Sequence, residues 1–61
     1  MFEVITGTGE TVYQGSSWTR ALAHYYNHVS LREHVLLWED DNSHNGPSRE
    51  WHPTLGHFGT N

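Results

Sequence analysis

Residues 2–6 alternate between two faces, with Phe2, Val4 and Thr6 on one and Glu3 and Ile5 on the other, which indicates a strand. The glycines within residues 7–10 tolerate the positive φ angles of a tight turn. Residues 11–14 then place Val12 and Tyr13 among residue types that favour strands. The pattern predicts a β-hairpin in which Tyr13 faces the opposite side from Val12.

After Gly15 the spacing changes to that of an amphipathic helix. Ser16 and Ser17 are both candidate N-caps. The apolar residues at positions 18, 21, 22, 25 and 29 share one stripe of about 100° on a helix. We predict a helix from about Ser17 to Val29 that packs on the sheet through this stripe, with Tyr26 beside it.

The longest apolar run covers residues 35–38, Val-Leu-Leu-Trp, and the acidic residues Glu39, Asp40 and Asp41 follow it directly. A continuous apolar run is typical of a strand that is covered on both faces. We therefore predict a strand over residues 34–40, with the helix on one face and a partner on the other.

Residues 48–52 follow a polar loop that contains an Asn-Gly turn signal, and they are predicted to pair back as a final strand. Pro53 ends this strand because proline cannot donate a ladder hydrogen bond. Residues 54–61 are rich in glycine and form either a loose tail or an arm that docks through Leu55 and Phe58.

These elements predict an α+β fold in ββαββ order. A small antiparallel sheet of three to four strands carries one amphipathic helix on one face. Residues 1–53 form a single domain in this interpretation, and residues 54–61 form a C-terminal Gly-rich tail. Four large aromatic side chains are predicted to share the core: Trp18, Tyr25, Trp38 and Trp51.

The size of the chain limits how it can be stabilised. A domain of about 60 residues buries only about 60% of its unfolded surface and usually needs reinforcement. The 61 residues include three Trp, three Tyr and two Phe but no Cys, which excludes disulfides. Dense aromatic packing, self-association and a histidine-bound metal remain, and we expect a homodimer.

The sequence shows no membrane or export signal. No stretch approaches the roughly 20 apolar residues of a membrane span. Residues 1–20 lack the basic and apolar regions of a signal peptide. We therefore expect a cytoplasmic protein that makes no contact with a membrane.

The charge balance disfavours nucleic acid as a partner. Seven acidic residues stand against three arginines, for a formal net charge of −4. Binding to phosphates needs clustered cations, and Arg20, Arg32 and Arg49 are scattered along the chain. Nucleic-acid binding through Arg20 and Arg32 beside stacked aromatic rings remains an alternative.

Two histidines form the best candidate metal site. His24 and His28 are four positions apart on the predicted helix, a spacing that suits two ligands of one ion. A third ligand has to come from His34, His52 or a carboxylate. The other interpretation is that both rings face solvent, and we expect no bound cofactor.

The sequence contains no motif for nucleophilic catalysis and none for phosphate binding. No serine lies in a Gly-x-Ser-x-Gly motif. The segment Gly7-Thr8-Gly9 lacks the third glycine of a phosphate loop and leads into a strand. A chain of this length also leaves little room for a pocket of about 300 Å³ or more. We therefore predict a protein without enzymatic activity.

Aromatic and acidic residues are the remaining candidates for function. Trp and Tyr are enriched in binding hot spots, and we predict that the rings of Tyr13, Tyr26 and Phe58 are exposed near Arg20. The acidic segment after the apolar run suits a basic partner surface. The alternatives are that the aromatic rings complete a core or a dimer seam and that the acidic segment is a solvated loop. We predict a protein-binding module with these partner-binding residues: Glu39, Asp40, Asp41, Tyr13, Tyr26 and Arg20.

Four segments resemble a type of small open reading frame found in bacteriophages, particularly those of actinobacteria. They are Phe2-Glu3-Val4, Val12 to Gly15, Ala21 to Tyr26 and Val35 to Asp40. The resemblance implies a small accessory protein of ββαβ(β) order that binds and modulates a host protein. It supplies no catalytic residues.

Overall fold

The computed structural model describes residues 1–39 and 46–58 and contains six elements. They are β1 (Phe2–Thr6), β2 (Thr11–Gly15), α1 (Trp18–Ser30), β3 (Val35–Glu39), β4 (Arg49–His52) and β5 (Gly56–Phe58). The strands form one antiparallel sheet in the order β2-β1-β3-β4-β5, and α1 packs against β1, β2 and β3. The predicted α+β fold is confirmed, with one strand more than expected.

Polar contacts at both ends define the limits of α1. The Ser17 hydroxyl accepts a hydrogen bond from the Arg20 backbone N–H at 3.1 Å, which satisfies one of the free donors of the first turn. At the other end Arg32 takes a left-handed conformation with φ of 59°, and its N–H donates to the Val29 carbonyl at 2.9 Å. No helix in the described part of the chain is long and apolar enough to cross a membrane.

The core lies between α1 and the central strands. Tyr25 is the largest fully buried side chain and comes from the middle of the helix. The strands supply the apolar floor on which the helix rests, as the predicted stripe requires. The buried cluster consists of Val4, Ala21, Tyr25, Val35, Leu37 and Trp51.

The strand register divides the sheet into two different faces. Val4 pairs with Leu37, and both are buried beneath the helix. Successive residues of a strand point to opposite faces, so Ile5 and its partner Leu36 lie on the other side. No helix of the described residues covers that side, which we call the open face. Trp38 lies there too, because it shares the parity of Leu36.

The pairing of β1 with β2 overturns the predictions that Tyr13 is exposed and that it faces away from Val12, because Tyr13 is the partner of the buried Val4. Val4 pairs with Tyr13, but the next residue, Ile5, pairs with Thr11, so Val12 is an extra residue on β2. A bulge interrupts the alternation of side chains between the two faces. As a result Val12 and Tyr13 both pack against the core instead of pointing to opposite sides.

Two tryptophans that were predicted in the core lie outside it. Trp18 is the first residue of α1 and is 36% exposed, because it lies at the end of the helix beyond the buried cluster. Trp38 is half-buried on the open face, because Val35 and Leu37 take the inward positions of β3. Trp51 is only 8% exposed, which confirms its predicted place.

The predicted tail contributes a strand. Residues 53–55 form a turn, and Gly56 begins β5 with φ of 78°, a conformation that glycine adopts without strain. β5 pairs with β4 through Trp51 and His57. One interpretation of the sequence was an arm that docks through Leu55 and Phe58. Leu55 is 70% exposed, so it does not anchor this segment.

We expect Gly7→Ala to lower the free energy of unfolding by about 1–3 kcal/mol, because a new methyl group would overlap a neighbouring side chain. A Cβ at Gly7 would lie 2.5 Å from His34 Nδ1 and 2.8 Å from its Cβ. The Gly7 N–H also donates to the His34 carbonyl at 2.8 Å, so the turn cannot move away without losing this bond. Urea denaturation measures the change, and Glu10→Ala in the same turn serves as a control expected to stay within about 0.5 kcal/mol. Equal stability of the Gly7→Ala variant and the wild type would contradict this packing.

Candidate functional site

Arg49 of β4 contacts two exposed aromatic side chains of α1 at the surface. Trp18 is 36% exposed and Tyr26 is 44% exposed. The guanidinium carbon of Arg49 lies 5.7 Å from the centre of the Trp18 ring, within the range of a cation–π contact. Arg49 Nη1 also donates a hydrogen bond to the Tyr26 hydroxyl at 3.2 Å. We call these three residues the aromatic surface.

The secondary structure explains why these residues meet. Trp18 begins α1, and Tyr26 follows eight positions later, about two turns or 12 Å along the axis. Arg49 begins β4, where it pairs with Leu37 on the face that the helix covers. Its long side chain therefore reaches the helix between the two rings and bridges them.

Other ring side chains of the protein pack against both Trp18 and Tyr26. The Phe2 ring lies 5.2 Å from the Trp18 ring, with a tilt of 58°. The Tyr25 ring meets Tyr26 edge to face at 5.1 Å and 83°. The ring of His57 lies 6.2 Å from Tyr26 on a further side. Contacts of this kind restrict the rotation of the rings and leave their outer faces in solvent.

The acidic segment begins at the edge of the aromatic surface. Glu39 is the cross-strand partner of Phe2, whose ring contacts Trp18. The Glu39 carboxylate accepts a hydrogen bond from the Ser48 hydroxyl at 2.5 Å, so its position is defined. The other two acidic residues predicted for partner binding, Asp40 and Asp41, lie outside the described residues.

The other two residues predicted for partner binding lie elsewhere. The Tyr13 ring stacks on the His24 ring at 5.2 Å and 20°, and its hydroxyl accepts the Ser17 backbone N–H at 3.2 Å. Arg20 is exposed, but it is about 120° around the helix axis from Tyr26. The structure therefore links Tyr26 to the Trp18 ring beside Glu39 only through Arg49, and the ring of Tyr13 and the side chain of Arg20 take no part in these contacts.

The sequence interpretation missed Trp18 and Arg49 as members of this surface. Trp18 matched the apolar stripe and was assigned to the core, although the first residue of a helix often has no facing element. Arg49 gave a weaker signal, since its contacts depend on how β4 pairs with β3. A separation of eight residues between Trp18 and Tyr26 was the available signal, because it places them two turns apart.

The histidine pair proposed for a metal is used in other contacts. His24 stacks on Tyr13, as described above. His28 Nδ1 lies 2.5 Å from a carboxylate oxygen of Glu33, its partner just beyond the helix. Within residues 1–39 and 46–58, no three His, Cys, Asp or Glu side chains converge in a geometry that holds a metal ion. His24 and His28 therefore have no third ligand in the described residues.

A cleft of about 440 Å³ lies between the β1–β2 turn and the end of α1. The expectation that so short a chain leaves little room for a cleft above about 300 Å³ is therefore wrong. Its hydroxyl groups bond each other, with the Thr6 and Thr8 oxygens 2.9 Å apart. His28 is likewise paired with Glu33. These four lining side chains therefore bond within the protein.

The Tyr25 hydroxyl lies beneath the aromatic surface and shares a hydrogen bond of 3.2 Å with His57 Nδ1. Burial raises the pKa of Tyr25 to about 12, because the phenolate loses its hydration, and the nearby Tyr26 adds to this effect. Tyr25 therefore stays neutral over the physiological pH range and supports Tyr26 without adding charge.

We expect the protein to lose stability as the pH rises from about 10 to about 12. The unfolded chain releases the Tyr25 proton near pH 10.0, whereas the folded protein keeps it until about 12. The unfolded state is therefore favoured progressively between these values, by roughly 2–3 kcal/mol in total. Urea denaturation at several pH values measures the loss, and Tyr25→Phe should show a smaller one. An identical pH dependence in the two proteins would contradict the assignment to Tyr25.

Comparisons with known proteins give no relatives. No family model matches the chain, and neither a curated protein nor a solved structure is significantly similar to it.

Proposed function

We propose that this chain is a protein-binding module without enzymatic activity and that the aromatic surface is its contact site. One observation carries the proposal: Arg49 contacts both Trp18 and Tyr26, and both rings are exposed at the surface. Trp, Tyr and Arg are the residue types most enriched in the hot spots of protein interfaces.

The fixed orientation of the rings supports this role. Association loses affinity when side chains must be ordered on binding, at roughly 0.5–1.5 kcal/mol for each flexible one. Here Arg49 bonds Tyr26 and lies over Trp18, so it holds both rings in place before a partner binds. A partner that places an apolar side chain against the rings would therefore bind with little loss of side-chain conformational entropy on this surface.

The charge of the molecule suggests the chemistry of the partner. The formal net charge is −4, and Glu39 lies beside the aromatic surface with Asp40 and Asp41 next in sequence. We propose a partner with an apolar anchor and basic residues around it. The resemblance to small bacteriophage reading frames supports a host protein in the host cytoplasm as this partner.

A photo-crosslinking amino acid placed at single positions tests the proposal directly. With the crosslinker at Tyr26, irradiation in a bacterial lysate should give one dominant protein adduct. Asn27 is an exposed neighbour about 100° around the helix and serves as the matched control position. Equal adducts from both positions, or none from Tyr26, would count against the aromatic surface as the contact site.

A further inference from the structure

The open face carries an apolar centre. Ile5 and Leu36 are direct cross-strand partners on it, and Trp38 lies one step along β3 as the partner of Glu3. All three apolar side chains are half-buried in the single chain. The helix packs on the opposite face, where the buried cluster lies. Domains normally bury an apolar sheet face against a second layer.

From this arrangement we infer that a second copy of the same chain covers the open face. The inference is independent of the proposed function, because the aromatic surface lies on the helix side. The positions of the polar groups around the apolar centre indicate that this second molecule is a copy of the same chain.

An acceptor and a donor occupy opposite corners of the open face. Glu3 lies beside Trp38, and Gln14 Nε2 reaches its carboxylate only at 3.5 Å, a long hydrogen bond. His52 lies at the other end and on the other side of β3. Its Nδ1 accepts the Thr54 N–H at 3.1 Å, so Nε2 carries the hydrogen of the neutral ring and is a donor.

The other polar pair on this face is satisfied within the chain. His34 Nε2 lies 2.6 Å from a carboxylate oxygen of Glu50, which is next to Leu36. The His34 ring also contacts the His52 ring at 5.2 Å. Among residues 1–39 and 46–58, these contacts leave the Glu3 carboxylate as an acceptor and His52 Nε2 as a donor for an outside partner.

A twofold axis that lies between the two sheets and passes between Leu36 of one copy and Leu36 of the other makes this pattern complementary to itself. If two open faces pack with their strands near right angles, an accepted form of sheet packing, each Glu3 lies over the partner's His52. Leu36 then packs on the partner's Leu36 at the centre. A twofold interface needs this kind of reciprocal pattern, in which the same patch serves both copies.

The available area fits a small dimer interface. The two longer dimensions of the molecule are 28 and 21 Å. A face within these limits offers at most about 600 Å² per copy, or about 1,200 Å² in total, the lower end for specific complexes. Chains of this size are often reinforced by self-association because a single small core contributes little.

Light scattering over a concentration series from about 1 µM to about 1 mM tests the inference. The wild type should reach twice its monomer mass of 7.0 kDa. Leu36→Glu should remain monomeric, because it buries two carboxylates at the centre of the interface. The matched control Leu55→Glu changes a leucine that is 70% exposed outside this face, and it should dimerise as the wild type does. A wild type that is monomeric throughout, or a Leu36→Glu variant that still dimerises, would overturn the inference.

A charge exchange keeps the test valid if Leu36→Glu fails to fold. Glu3→His and His52→Glu should each weaken the dimer at least tenfold, because two like groups then face each other. The double variant restores an acid opposite an imidazole and should return to within about threefold of wild type. A double variant as weak as the sum of the two single changes would refute the proposed twofold arrangement. Circular dichroism of each variant confirms that it is folded.

Discussion

Leu37→Ala is expected to leave the protein largely unfolded at 25 °C. Leu37 is fully buried on β3, the central strand of the sheet, beneath the helix. Replacing a buried leucine by alanine typically costs about 2–5 kcal/mol, from lost burial and from the cavity that remains. A domain of this size rarely gains more than about 3–5 kcal/mol from its core, so the change removes most of the stability.

Urea denaturation followed by circular dichroism measures this loss. Leu55→Ala removes the same atoms from a side chain that is 70% exposed and should change the free energy of unfolding by less than about 0.5 kcal/mol. If the two variants were equally stable, the buried cluster beneath α1 would not be the main source of stability.

Trp18→Ala and Tyr26→Ala are expected to weaken the complex with the crosslinked partner by at least about 2 kcal/mol each, or roughly 30-fold in Kd. Each change removes a ring whose position is fixed by contacts behind it. It also removes one of the two groups that hold Arg49 in place. Titration calorimetry with the purified partner measures both effects.

Conservative variants separate the parts of this surface. Tyr26→Phe keeps the ring but loses the hydrogen bond from Arg49, and we expect a smaller loss than for Tyr26→Ala. Arg49→Lys keeps the charge but loses the planar guanidinium that bridges the rings. Leu31→Ala is the control, because Leu31 is 59% exposed at the far end of α1. A loss as large for Leu31→Ala as for Trp18→Ala would contradict the proposed site.

Local sequence patterns predicted most of the secondary structure. The alternation over residues 2–6 matches β1 residue for residue, and the apolar stripe with its serine cap places α1 within one residue at each end. These signals are reliable because side-chain periodicity and capping depend on neighbouring residues alone. The continuous apolar run at 35–38 likewise became a central strand with apolar residues on both faces.

Features that depend on pairing between strands were harder to predict. The bulge places Val12 on the same face as Tyr13, and no local pattern marks the extra residue. The last strand, β5, has only three residues, and it forms because β4 offers a free edge. A segment so short has too little periodicity to be recognised before its partner is known.

The candidate site was predicted in part for the same reason. Tyr26 and Glu39 were identified from residue type and position, since aromatic and acidic residues outside the core are natural contact candidates. Their proximity through Trp18 and Arg49 depends on the register of β4 and on the tilt of the helix across the sheet. Neither quantity can be derived from spacing along the chain.

The three tryptophans offer one measurement that tests the central claim. Their indole N–H groups report three environments: Trp18 in the aromatic surface, Trp38 on the open face and Trp51 in the core. In a ¹H–¹⁵N correlation spectrum at constant protein concentration, added partner should shift the Trp18 indole signal strongly and leave the Trp51 signal nearly unchanged. A partner that binds while shifting Trp38 and leaving Trp18 in place would contradict the assignment of the aromatic surface as the contact site.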